Sequence, residues 1–237
     1  MNRLKGRHAV VTGGGRGIGR AIVEALIDEG ALVLAIARSG PELEDVAKLS
    51  PRIRTAQLDL TNRRDVDRIP DLFDRAAPLD LLVNNAGVWM ERSFLEYTRE
   101  EWDLTLRTNL TSVFDVTRAL LPRLLASPSS RIVNIAAIDG ERGFPRLVAQ
   151  CASKAGLIGL TRALAKELWD RPITVNAVCP AAVDKEVAYA QTMTRPPEPK
   201  QALPWDVARA VVYLASDEAA RITGTCLDVH GVGFLAS

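Results

Sequence analysis

Residues 8–20 read HAVVTGGGRGIGR. Ala9, Val10 and Val11 make a short apolar run of the kind that forms a buried strand. The run breaks into Gly13, Gly14 and Gly15. The chain then resumes with Ile18, Ala21, Ile22, Ala25 and Leu26, apolar at helical spacing. Strand, glycine turn and helix in that order build a cradle for phosphate. Glycines admit a close approach of the backbone, and the helix N-terminus presents free N–H groups and the positive end of its dipole. The spacing is T-G-x-x-x-G-x-G, on Thr12, Gly13, Gly17 and Gly19, and not the strict G-x-G-x-x-G.

Outward from this turn, apolar runs alternate with helical patterns. Further strands are expected at 31–37, at 53–58 closed by Asp59, at 79–83 running into Asn84-Asn85-Ala86-Gly87, and at 131–136, 173–178 and 225–229. Between them, helices are expected near 43–49, over 62–76 with an interruption at Pro70, and over 99–126, 151–169 and 205–216. Strands that are apolar nearly throughout and alternate with helices predict an α/β fold, a doubly wound parallel sheet covered on both faces. Ligands of such sheets sit at the carboxyl ends of the strands. Those ends carry Thr12-Gly13, Arg38, Asp59, Asn85-Ala86-Gly87, Ala136-Ala137 and Pro180. The 237 residues, without repeats or linkers, suit a single domain over 1–237.

Lys plus Arg number 30 and Asp plus Glu 29, a balance that argues against nucleic acid or an anionic membrane as the main partner. No apolar stretch approaches a membrane span, and MNRLKGRH enters the first strand with no room for a signal peptide, so a cytoplasmic location is expected. Cys151, Cys179 and Cys226 are scattered and odd in number, which predicts reduced thiols. With only His8 and His230, no histidine-built metal site is expected.

The chain resembles the short-chain dehydrogenase/reductase family over nearly its whole length. The matching motifs are TGGGRGIG (12–19), LDL (58–60), NNAG (84–87), Asn109, IVNI (132–135), ASKAGL (152–157), VNAVCP (175–180) and ITGTCLDVHG (222–231). The resemblance implies a Rossmann-type fold that binds NAD or NADP, assembles as a homodimer or homotetramer, and acts on a small-molecule carbonyl. It implies that Gly13, Gly17 and Gly19 form the phosphate turn with Ile18 over the pyrophosphate. Asp59 would accept from the adenine amino group and Leu60 would back the ring; Asn85, Ala86 and Gly87 would line the adenosine ribose. Pro180 and Val183 would lie near the nicotinamide, and Lys154 would hold its ribose. It also places the dimer-forming helices at 99–126 and 151–169 and a second interface on the last strand, with Leu227 and Val229. An acidic residue ending the second strand favours NAD, whereas arginine accommodates a 2′-phosphate. Arg38 stands there and Arg16 lies inside the glycine turn, so NADP(H) is the expected cofactor.

The resemblance breaks at the catalytic set. The family's tyrosine lies four residues before its lysine; counting back from Lys154 gives Gln150. The family's serine lies thirteen residues before the tyrosine, and Ala137 stands there. Glutamine donates hydrogen bonds but has no acidic proton, and alanine does neither. A positioned general acid is worth roughly 10²–10⁴-fold and an oxyanion donor roughly 10²–10³-fold. Lys154, Asn109 and Gln150 are the catalytic candidates that remain. Tyr189, in the segment after Pro180, is a candidate replacement acid, as are Asp139 and Glu141 just after Ala137. Tyr213 reads as core and Cys151 as structural. The covering segment departs too, with Pro180-Ala181 for the family's proline-glycine step and Lys185 for its threonine; its prolines up to Pro204 suggest a stiffer, more open site. Three functions follow as alternatives: an NADPH-dependent reductase of an activated carbonyl, quinone-like or internally hydrogen-bonded; a non-catalytic NADP-binding subunit or sensor; and a non-redox isomerase or lyase using Asp139, Glu141 or Lys154 as base.

Overall fold

The computed structural model describes residues 2–72, 77–183 and 202–230. Strands β1 (His8–Thr12), β2 (Leu32–Ala37), β3 (Ile53–Gln57), β4 (Leu81–Asn84), β5 (Ser130–Ile135), β6 (Ile173–Pro180) and β7 (Cys226–Val229) form one seven-stranded sheet in the order β3-β2-β1-β4-β5-β6-β7. Every pairing is parallel. This is the Rossmann-type doubly wound sheet, and its order reverses between β1 and β4.

Alternate residues of each strand feed opposite faces of the sheet. Ala9 and Val11 of β1, with Val33 and Ala35 of β2, share a core with Ala21, Ile22, Ala25 and Leu26 of α1 (Gly17–Asp28) and Val207, Ala208 and Val211 of α8 (Pro204–Ala215). Val10, Leu34, Ile36, Leu82 and Ile132 point the other way, onto Val116, Leu120 and Leu124 of α5 (Ser112–Leu125). Both faces being covered explains why the strands read as unbroken apolar runs. Among the described residues the remaining helices are α2 (Gly40–Ala47), α3 (Arg63–Asp67), α4 (Arg99–Leu106), α6 (Asp139–Arg142) and α7 (Val148–Glu167).

Three of the differences from the expected helices have a physical reason or bear on the site. The helix expected over 62–76 is α3, capped by the Asn62 side chain, followed by a 3₁₀ turn over Ile69–Leu72; Pro70 lacks the N–H an α-helix needs, and residues 73–76 lie outside the described residues. The long helix over 99–126 is divided: α4 starts on a Thr98–Glu101 capping box and passes through a π turn, Arg107–Thr111, into α5. Helix α7 begins at Val148, so Gln150 lies in its first turn.

A buried polar chain fixes β4, β5, α5 and α7 to one another. The Asn84 amide donates to Thr117 Oγ1 at 3.1 Å and to Asn134 Oδ1 at 2.8 Å, and Asn134 donates to Thr161 Oγ1 at 2.9 Å. Both asparagines are 2% exposed, so a lost partner is not replaced by bulk water. Asn84→Ala strands the Asn134 oxygen and is expected to lower the unfolding free energy in urea by about 1–3 kcal/mol; an unchanged midpoint would show that the chain carries no stability.

Candidate functional site

The reversal of strand order puts the carboxyl ends of β1 and β4 on either side of one crevice. Gly13 adopts φ +66° and Gly17 φ +53° as the chain turns from β1 into α1. At Gly19 an added Cβ would stand 2.0 Å from the Gly13 carbonyl oxygen, so only glycine lets the first turn of α1 close on the loop. At Gly13 it would meet Ala86 Cα and Asn85 Nδ2, both at 2.9 Å. The Asn85 side chain donates to the Thr12 and Gly13 carbonyls at 3.0 and 3.1 Å, while the Asn85 and Ala86 N–H groups donate to Thr12 Oγ1 at 2.9 and 3.1 Å. The NNAG segment is therefore bonded to the glycine turn, which explains why asparagine and threonine stand there.

These residues fit a dinucleotide. The N-cap of α1, Arg16, makes no side-chain cap bond, and no acidic residue occupies the first turn, so the first N–H groups and the positive dipole end face the loop. A Cβ on Gly17 would meet nothing within 4 Å, so the turn is open above its backbone. Arg16 lies on the outer side, 84% exposed and 3.6 Å from Glu42 Oε1, and Arg38 is exposed at the end of β2, its carbonyl accepting from Gln57 at 2.9 Å. Ile18 packs against the core beneath this turn. Asp59 spends Oδ1 on the N–H and hydroxyl of Thr61, at 2.9 and 2.8 Å. Its pKa is lowered: burial raises it, but the Thr61 bonds and the Arg38 charge outweigh burial. Leu60 is buried in the neighbouring core. Pro180 ends β6, its carbonyl accepting from Ile138 at 3.2 Å, and Val183 forms a bridge with Ala202.

At the carboxyl end of β5 a second cluster forms. Asn109, carried inward by the π turn, is fully buried. Its Oδ1 accepts from Val88 N–H at 2.8 Å; its Nδ2 donates to the Val88 carbonyl at 2.9 Å, to Gln150 Oε1 at 3.0 Å and to Ser153 Oγ at 3.2 Å. Ser153 in turn donates to the Gln150 carbonyl at 2.8 Å. Gly87 lies beside the same group, an added Cβ coming within 3.2 Å of Asn109 Oδ1. Lys154, one turn after Gln150 on α7, donates to the Ile135 carbonyl at 2.7 Å. Burial lowers its ammonium to about 8.

The family model described as short chain dehydrogenase matches residues 7–195. The chain belongs to the short-chain dehydrogenase family, a family of oxidoreductases that use a nicotinamide cofactor. Over 98% of its length it is 35% identical to the whole of the 3-oxoacyl-(acyl-carrier-protein) reductase FabG of Haemophilus influenzae. Over 97% of its length it is 38% identical to the acetoacetyl-CoA reductase of Rhizobium meliloti, covering 99% of that protein, and over 98% it is 36% identical to nodulation protein G of the same organism, again covering 98%.

Within this short-chain dehydrogenase cleft, Gln150 and Asn109 are bonded to each other, Ser153, which the sequence did not single out, bonds to both, and Lys154 lies one turn further along α7 on the Ile135 carbonyl. Asp139 and Glu141 part company: Asp139 is half-buried, whereas Glu141 is exposed and 3.9 Å from Arg162. Tyr213 is corrected from core to the outer face of α8, 37% exposed. Tyr97 donates to the Met90 carbonyl at 2.9 Å. Tyr189 and Lys185 lie outside the described residues. Cys151 accepts from the Phe144 N–H at 3.3 Å. Cys179 and Cys226, far apart in sequence, are neighbours across β6 and β7; burial pushes the Cys179 thiol far up. Among the described residues no helix is long and apolar enough to cross a membrane.

Lys154 makes a pH-dependent prediction. Its folded pKa of about 8 lies below the ordinary 10.5, so between these values the unfolded chain binds the extra proton. This group therefore makes stability rise with pH across that window. The difference in urea unfolding free energy between wild type and Lys154→Met is expected to move in favour of wild type from about pH 8 to about 10.5; a difference that stays flat contradicts the burial argument.

Proposed function

We propose that this protein is an NADPH-dependent reductase of an activated carbonyl, with a proton supplied from outside the family's serine–tyrosine pair. The observation that carries the reading is the second cluster. Asn109 and Lys154 are held against the loop after β4 and the end of β5, beside a glycine turn shaped for a dinucleotide, while the positions of the two hydroxyls hold Ala137 and Gln150. A reduced nicotinamide supplies a hydride to a carbonyl carbon. Gly13, Gly17, Ile18 and Gly19 would cradle its pyrophosphate, Asp59, Leu60, Asn85, Ala86 and Gly87 its adenosine, Lys154 its second ribose, and Pro180 and Val183 its nicotinamide. The Lys154 ammonium has three donors and spends one on Ile135.

Arg16 and Arg38 flank the adenosine end and suit a 2′-phosphate, which supports NADP(H) over NAD(H). The names of the relatives, reductases of 3-oxoacyl and acetoacetyl thioesters, support a ketone activated by a neighbouring carbonyl. Such a ketone needs less help from an oxyanion donor than an ordinary one, consistent with the missing hydroxyls. The reading takes residues 1–237 as one NADP-binding domain in a homodimer or homotetramer. Exposed Leu104 and Phe114, on α4 and α5, and the sheet-edge position of β7 support it.

The experiments are direct. Calorimetric titration is expected to show tighter binding of NADPH than NADH, with Arg38→Asp reversing the order; equal affinities would remove the 2′-phosphate argument. With NADPH, wild type is expected to reduce acetoacetyl-CoA or a quinone and to leave simple ketones nearly untouched, and Ala137→Ser with Gln150→Tyr to raise the rate on simple ketones. NADPH binding without consumption across the panel would favour the non-catalytic alternative. Light scattering at micromolar concentration is expected to give a dimer or tetramer; a monomer would contradict the interface assignment.

A further inference from the structure

Resting on the reductase reading, we propose that Asp139 is the proton donor of the reaction, its carboxyl standing in for the hydroxyl pair at the end of β5. Four observations lead there. First, Asp139 opens α6 two residues after Ala137, at the carboxyl end of the strand that presents Lys154's partner, the Ile135 carbonyl. Secondly, α6 is seated hard against α7 at Gly140: an added Cβ would stand 2.6 Å from Lys154 C and from Ala155 N and 2.9 Å from Lys154 Cβ. That contact, available only to glycine, fixes the backbone of α6 against α7, and the Asp139 carboxyl accepts a hydrogen bond from the Gln150 side chain. Thirdly, Asp139 is half-buried, partly withdrawn from solvent.

Fourthly, the neighbouring hydroxyl, amide and thiol side chains are committed elsewhere or carry no acidic proton. The Ser153 hydroxyl donates to the Gln150 carbonyl, and the Tyr97 hydroxyl donates to the Met90 carbonyl. Gln150 and Asn109 are amides without an acidic proton. The Cys179 thiol is buried in the apolar cluster with Ala136 and Ile138.

The electrostatics agree. Burial raises the Asp139 pKa above the ordinary 3.8, and the hydrogen-bonding Gln150 amide and the Lys154 charge on α7 only partly offset it. Cys179 on β6 faces Lys154, and Glu141, on Asp139's own turn, leans toward Cys179 and Arg162. A carboxyl held protonated above its usual range is a competent acid nearer neutral pH.

The step balances without a further reagent. A bound reduced nicotinamide would give up its C–H pair as hydride to form the C–H bond at the carbonyl carbon, and the C=O π pair would become a lone pair on oxygen. The Asp139 O–H proton passes to that oxygen, giving the alcohol, and the carboxylate left behind, half-exposed, regains a proton from water. The carbonyl is reduced by two electrons and the nicotinamide oxidised by two.

Asp139→Asn keeps the shape and removes the proton. Its kcat on the best substrate of the panel is expected to fall by roughly 10²–10⁴-fold, with NADPH affinity within about twofold of wild type as a retained fold requires. Asp139→Glu is expected to restore part of the loss. Independently of turnover, infrared difference spectroscopy of wild type against Asp139→Asn reads the protonated carboxyl stretch. It is expected to persist to a pH above the ordinary carboxylate range. A wild type that reduces while Asp139→Asn reduces as fast overturns the proposal alone, as does a carboxyl that titrates in the ordinary range. A wild type that reduces nothing overturns the reductase reading, and the proton donor with it.

Discussion

Gln150 Oε1 accepts from the buried Asn109 amide, and the same asparagine holds the Val88 backbone by both its N–H and its carbonyl. One side-chain amide thus ties the loop after β4, the π turn and the first turn of α7 to a common point. Asn109 is fully buried and Gln150 6% exposed, so neither is released by exchanging partners with bulk water. A glutamine held in this way orients its neighbours without supplying a proton. The chemistry then depends on what stands next to it, and the close seat of Gly140 on α7 puts a carboxyl there.

The sheet gives this point its rigidity. Parallel pairing puts β1 and β4 at the middle of the sheet, and the Asn84–Asn134–Thr161 chain locks β4 and β5 to α7 beneath the cleft. On the nucleotide side the Asn85 and Thr12 bonds make the glycine turn and the NNAG segment one unit. The two halves of the cleft, the glycine turn and the Asn109–Gln150 cluster, are therefore set at a fixed separation by backbone hydrogen bonds and buried amides.

Much of this was legible in the residues. Strands buried on both faces read as apolar runs, and Thr12, Gly13, Gly17 and Gly19 announced the turn. The spacing back from Lys154 exposed Gln150 and Ala137 without any coordinates. The π turn was not legible, because Arg107–Thr111 contains neither proline nor glycine and helical periodicity runs through it. The start of α7 is not legible either, because Leu147, its N-cap, offers no side-chain cap. Asp139 and Glu141 looked equivalent until α6 folded on α7, burying one and leaving the other beside Arg162. The proximity of Cys179 and Cys226 depends on strand register, which pairs Ala177 with Cys226 and cannot be read from either segment alone.

The central claim is that Gln150 and Asp139 act as a pair in which the amide tunes the acid. The pH dependence of kcat, measured in wild type and in Gln150→Leu, tests it most directly. Loss of the Gln150 hydrogen bond removes an influence that lowers the Asp139 pKa, so the fall of kcat at high pH should move to higher pH in the variant. A fall at the same pH in both proteins would contradict the account.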